Sequence, residues 1–146
     1  MFAGNGGSAA DAQHLSTELA GRYYLNREPL AAETLLNDPA YMTAIANDFS
    51  FEDIFARALK AKGKKEDILV AMSTSGNSEN ILRAIKLSKE IGVTVMAWTG
   101  SKDQKMKAYA DYYLAIPSDN TPRIQEGHML VGHIICELVE AKIFGS

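Results

Sequence analysis

"DILVAMSTSGNSENILRAIKLSKEIGVTVMAWT", residues 67–99, decides the fold. Residues 67–73 are a continuous apolar run ending in small polar residues, the pattern of a strand buried on both faces. Residues 77–92 carry Ile81, Ile85 and the run from Leu87 to Ile91 at helical spacing, with Gly92 as the stop. "VTVMAWT" (93–99) predicts the next strand and "YYLAIP" (112–117) another, which Pro117 closes. Strand, helix and strand in succession imply parallel strands with right-handed crossovers. The predicted fold is therefore α/β, a three-layer sandwich with a central parallel sheet. Downstream, "TPRIQEGHMLVGHIICELVEAKI" (121–143) predicts one long helix, with Thr121 as N-cap and Pro122 at its first position.

The rest of the chain agrees with a single unit spanning 1–146, since 146 residues at 47% hydrophobic content can bury a sizeable core. A net charge of -3 argues against nucleic acid as a partner. No apolar run is long enough to span a bilayer, so a membrane is not expected either. The start, "MFAGNGG", lacks the basic and apolar regions of a signal peptide, which predicts a cytoplasmic protein. The lone cysteine, Cys136, lies among apolar neighbours in "GHIICELVE" and reads as a buried structural thiol in a reducing compartment.

In open parallel sheets, ligands bind beyond the carboxyl ends of the strands. Two such ends here are rich in Gly, Ser and Asn: "GNGGSA" (4–9) and "STSGNS" (73–78). Both run into helix starts, where free N–H groups and the helix dipole attract anions. Ser73, Thr74, Ser75 and Ser78 add four hydroxyls, more than a turn and a cap require. On the plainer reading, Ser75 or Asn77 simply caps the next helix. Two such loops at equivalent places favour a phosphate-bearing ligand. Neither loop follows the dinucleotide or Walker pattern, so a sugar phosphate is expected.

Groups able to move protons lie close by in sequence. His14 and Glu18 are four residues apart and share one helix face. In the last helix Gln125, His128 and His133 are candidates. Gln125 and His133 are about 80° apart around the helix and Gln125 and His128 about 60°, so spacing does not choose between the histidines. The apolar setting of His133 also suits a hydrogen-bonded core histidine. Asp48 closes a helical stretch and is able to cap the next one. Arg22 and Arg123 read equally as surface charges or phosphate clamps. Glu33 interrupts the strand-like "PLAAETLL" and needs a partner if buried. Gly127 weakens the last helix by about 1 kcal/mol relative to alanine.

The motifs "GNGGSAADAQH" with "ELAGR", "TAIANDFSFEDIFAR", "MSTSGNS" and "TPRIQEGHMLVGHIICELVE" together resemble the phosphoheptose isomerases of the sugar isomerase (SIS) domain superfamily. The resemblance covers nearly the whole chain and implies a flavodoxin- or Rossmann-like SIS fold. It implies an isomerase converting sedoheptulose 7-phosphate to D-glycero-D-manno-heptose 7-phosphate, supplying heptose for lipopolysaccharide core or surface glycans. Ser73, Thr74, Ser75 and Ser78 would then hold the phosphate, and Asn5, Gly6, Gly7, Ser8, Asn47 and Asp48 would line the sugar with Glu18 and Gln125. Zinc is implied at His14, Glu18, Gln125 and His133, with Glu18 as base and His133 as its acid–base partner across the enediolate. A homotetramer is implied too. Family members carry one or two helices and a full first strand ahead of the loop, where this sequence has only "MFA", and Ala40 replaces a family hydroxyl. The competing reading is a non-catalytic SIS module that senses a sugar phosphate or binds a protein such as the replication initiator; retention of Glu18 and His133 favours the enzyme.

Overall fold

The computed structural model describes residues 1–102 and 105–145. Its sheet has four parallel strands in the order β1 (Phe2–Gly4), β2 (Ile68–Met72), β3 (Thr94–Thr99) and β4 (Tyr112–Ala115). The short "MFA" segment is thus a true strand. Outside it, "PLAAETLL" contributes only a single parallel bridge, Phe2 to Thr34, with Leu35 N–H donating to the Phe2 carbonyl at 2.9 Å. Glu33 in that segment stays partly exposed and pairs with Lys62 at 2.6 Å.

Strand alternation sorts the core into two layers. Leu69, Ala71, Val95 and Ala97 face α2 (Pro39–Asp48), α3 (Ile54–Lys62) and α4 (Glu79–Ile91). Val70, Met72 and Trp98 face α1 (Gly7–Ala20) and α5 (Thr121–Phe144). β2 is buried on both sides from Leu69 to Met72, as its unbroken apolar run demands. Each fully buried Leu or Ile here contributes roughly 1.5–3 kcal/mol. Gly92 ends α4 in the left-handed conformation at φ 79°, which a side chain would strain.

Two helix caps differ from expectation by one or more positions. Asn120 occupies the cap of α5, and Thr121 is already its first residue. Ser78, rather than Ser75 or Asn77, precedes α4. Asp48 does close α2, but Ser50 caps the short turn that follows. Gly127 has a packing role: a Cβ there would lie 2.8 Å from the Ile116 side chain, so the glycine lets α5 approach the end of β4. Among the described residues, no helix is long and apolar enough to cross a membrane. Cys136 is buried, and burial pushes its thiol up to about 11, as an inert core cysteine requires.

The hydrogen-bonded core histidine is His128. Its Nε2 lies 3.1 Å from the Thr99 carbonyl, an acceptor, so Nε2 carries the proton. Nδ1 is buried with no partner among the described residues. Burial lowers the His128 pKa below 6.5, partly offset by the bond to Thr99. The unfolded imidazole therefore takes up a proton near pH 6.5, while the folded one does so only at lower pH. Stability from this group is complete above pH 6.5 and is lost as pH falls through the lower folded value. Replacing His128 by Gln, which keeps a donor for Thr99, should flatten this acid-side decline in urea denaturation midpoints.

Candidate active site

β1 and β2 pair in a register that sets Gly4 opposite Met72. The next residues, Asn5 and Ser73, therefore leave the sheet side by side. Asn5 and Asn80 then lock the two loops with reciprocal amide bonds, each 2.9 Å, and Asn80 Oδ1 also accepts the Ile81 N–H. Asn80 is buried, and the sequence reading passed over it. Its signal was faint: an asparagine in the first turn of a helix, following the serine loop.

Between the loops lies a cleft of about 270 Å³, lined by Asn5, Gly6, Gly7, Ser8, Met72, Ser73, Thr74, Ser78, Thr121 and Gln125. Eight of the expected substrate residues line it; Thr121 was not foreseen. Ser73 Oγ sits 3.0 Å from Ser78 Oγ and 3.4 Å from Ser75 Oγ, so the three hydroxyls form one cluster. Gly6, at the cap of α1, has no side chain, and Ser78, at the cap of α4, makes no cap bond, leaving Asn80 to take the Ile81 N–H. Two helix N-termini beside a hydroxyl cluster have the chemistry that suits an anion.

α1 and α5 lie side by side on one face of the sheet and bring the proton-active groups together. Gly132 permits this approach, because a Cβ there would fall 2.5 Å from Leu15. Next to these contact partners in sequence, His14 Nε2 and His133 Nε2 meet at 3.1 Å. His14 Nε2 is also 3.0 Å from Glu18 Oε1. Ligand atoms of His14, Glu18 and His133 all lie within 4.8 Å of one another. Tetrahedral zinc with bonds near 2.05 Å separates its ligand atoms by about 3.3 Å, so these spacings and the N/O donors fit that ion. Gln125 leans against Gly7, whose Cβ would meet its amide nitrogen at 2.2 Å.

The structure also sorts the remaining candidates. Of the two histidines that helical spacing left open, His133 is the one that meets His14, and His128 lies in the core. Asn47 and Asp48 do not line the cleft; they lie exposed at the end of α2, bonded to each other at 2.9 Å. Both lie in α2, none of whose residues lines the cleft. Arg123 pairs with Glu126 at 2.8 Å on the surface, and Arg22 is exposed. Asp11, one turn before His14, was missed. One of its carboxylate oxygens is buried without a partner among the described residues. Burial raises its pKa, and His14 partly counters the rise. A larger hollow of about 880 Å³ opens near Met1, Lys64 and Ile68, at the opposite ends of the strands. Its wall joins apolar residues (Leu15, Leu19, Val70, Trp98, Cys136) to the charged Glu33, Lys62, Lys64, Glu66 and Asp67, but no hydroxyl or amide side chain lines it, so the smaller cleft better suits a sugar phosphate.

Comparison with known proteins identifies the family. The SIS domain profile matches residues 1–100. A phosphoheptose isomerase of Akkermansia muciniphila is 50% identical over 146 residues, all of this chain and 77% of the relative. The structure of a phosphoheptose isomerase from Francisella tularensis superposes with a TM-score of 0.90 at 38% identity, covering 94% of this chain and 74% of that one. That of Neisseria gonorrhoeae gives 0.90 at 40% identity, over 96% and 74%. The chain belongs to the SIS-domain family, within its phosphoheptose isomerases.

Gly7→Ala tests the cleft directly. The new methyl should turn Gln125 away without unfolding the chain, weakening sugar-phosphate binding in calorimetry by about tenfold, the loss of one good hydrogen bond.

Proposed function

We propose that this chain isomerises sedoheptulose 7-phosphate to D-glycero-D-manno-heptose 7-phosphate. The observation that carries the reading is the placement of Glu18 and His133 within 4.8 Å of each other. That pair lies on helices that also reach the anion cleft, α1 through its start and α5 through Gln125. The phosphate binds the serine cluster and the two helix starts, whose partial positive charge suits its dianion. The cleft residues Asn5 to Ser8 and Gln125 orient the sugar chain.

An aldose–ketose exchange moves a proton between adjacent carbons and another between their oxygens. Glu18 removes the carbon-bound proton, and His133 exchanges a proton with the developing enediol oxygen. His14 holds Glu18 through their 3.0 Å contact and keeps the carboxylate aimed. His14, Glu18, Gln125 and His133 would hold zinc, which when bound supplies Lewis-acid polarisation of the carbonyl. Asn47 and Asp48, which do not line the cleft of their own chain, would meet sugar if contributed across a subunit boundary. A homotetramer accommodates that arrangement, and the exposed stripe of Leu130, Ile134 and Leu138 on α5 supports self-association. The whole chain, 1–146, is read as one SIS unit of a cytoplasmic enzyme serving lipopolysaccharide-core or surface-glycan heptose synthesis. Non-catalytic sensing has less support, since it needs neither Glu18 nor His133.

Following aldose formation from sedoheptulose 7-phosphate by NMR tests this reading. Glu18→Gln should lower kcat by about 10²–10⁴-fold while sugar-phosphate binding persists. Ser78→Ala should instead raise KM by roughly tenfold, the loss of one hydrogen bond to a charged group. Saturable binding by the unsubstituted chain without turnover would move the assignment to a sensor. A chelator that abolishes turnover, with zinc restoring it, would establish the metal requirement.

A further inference from the structure

Outside the cleft, the most completely bonded charged pair is Arg27 with Glu140. Their contact is 2.9 Å, and each side chain is only 3% exposed. Four donors converge on the Glu140 carboxylate: the N–H groups of Tyr23, Tyr24 and Leu25 at 3.1, 2.8 and 2.9 Å, and Arg27 Nε at 2.9 Å. Burial alone would raise the Glu140 pKa, but these donors outweigh it and hold the carboxyl below its usual range. The other Arg27 nitrogens turn toward the end of α1. Nη1 donates to the carbonyls of Leu19 at 2.9 Å, Gly21 at 3.3 Å and Glu28 at 3.0 Å, and Nη2 to that of Glu18 at 2.9 Å. α1 has no basic residue in its own last turn, so Arg27 places a cation at the negative end of its dipole.

These bonds join the two helices that carry the proton-active groups. One guanidinium holds the backbone of Glu18 itself and, through Glu140, the body of α5. Glu140 follows His133 by seven residues, which at 3.6 per turn returns to within about 20° of the same helix face. The segment whose N–H groups Glu140 holds also carries Tyr23, whose ring centroid is 6.0 Å from that of His133. An apolar pair would brace two helices at least as well as a buried ion pair. What an apolar pair does not supply is directional bonding to particular backbone atoms at both ends.

We propose that the buried Arg27–Glu140 pair is the positioning device of the site, a clamp that fixes Glu18 on α1 relative to His133 on α5. Neither residue touches the cleft; they act through the backbone of Glu18 and the seat of His133. The inference rests on the isomerase reading, and its test separates the two.

Arg27→Lys keeps the charge beside Glu140 but loses the planar fork that also spans the α1 carbonyls. Glu140→Gln keeps the shape and loses the charge. Leu59→Ala, in the opposite core layer, serves as a control of lowered stability. Tm, kcat and KM for sedoheptulose 7-phosphate are measured for each, well below its Tm. The clamp variants should lose about 10–100-fold in kcat, as expected for a displacement of roughly 1 Å at the reacting groups. Their KM should stay within about threefold, because the phosphate cleft is untouched. Leu59→Ala should keep the kcat of the unsubstituted chain. A folded clamp variant with undiminished kcat overturns the proposal, as does an equal kcat loss in Leu59→Ala. Failure of both clamp variants to fold also overturns it, by making the pair a fold element. If the unsubstituted chain shows no turnover, the isomerase reading fails. The clamp then stands or falls on a crystal structure of Arg27→Lys, where the His14–His133 distance should exceed 3.1 Å and an unchanged distance refutes it.

Discussion

The register between β1 and β2 is the constraint on which the site depends. With Gly4 opposite Met72, two glycine- and serine-rich loops leave adjacent strands at the same level, about 4.8 Å apart. Each loop turns at once into a helix, so two helix starts border one cleft. A slip of one residue would turn every β1 side chain to the other face and separate the loops. The reciprocal Asn5–Asn80 amide bonds hold that juxtaposition after the strands have ended.

A second constraint acts on the far side of the cleft. Proton transfer needs groups from α1 and α5 within a few ångströms, yet helices usually pack with axes 8–10 Å apart. Gly132 against Leu15 lets the two helices come close beside His14 and His133. Small residues in α1, such as Ala12 and Ser16, are buried along the same helix. The chemistry thus depends on what is missing from side chains as much as on what is present. His128 shows the opposite arrangement one and a half turns earlier on α5: an imidazole held in the core by a backbone carbonyl and removed from the cleft.

Much of this was legible in the chain itself. The apolar run of β2, the 3.6-residue period of α4 and the Gly92 stop are local signals, and they produced the elements they announced. The loops were legible too, because glycine and clustered hydroxyls have few structural reasons to occur together at strand ends. Gln125 and the His14–Glu18 pair were found by the same local reasoning. The helix caps at Asn120 and Ser78 were off by a residue or more, since several polar residues in a row compete for one cap position.

Sequence alone determined which segments fold as strands or helices and which strand ends carry glycine- and hydroxyl-rich loops, because backbone preference and hydrophobic period are short-range properties. Tertiary structure decided which histidine reaches Glu18, since helical spacing leaves His128 and His133 both near Gln125 until α5 is laid against the sheet. It also decided that Asn47 and Asp48 do not line the cleft, because where α2 packs is fixed by tertiary contacts and not by its own sequence. The bonds of Arg27 to Glu18 and Glu140 lie beyond local reading for the same reason. They span 9 and 113 residues of chain, and only the side-by-side placement of α1 and α5 brings those atoms within hydrogen-bonding distance.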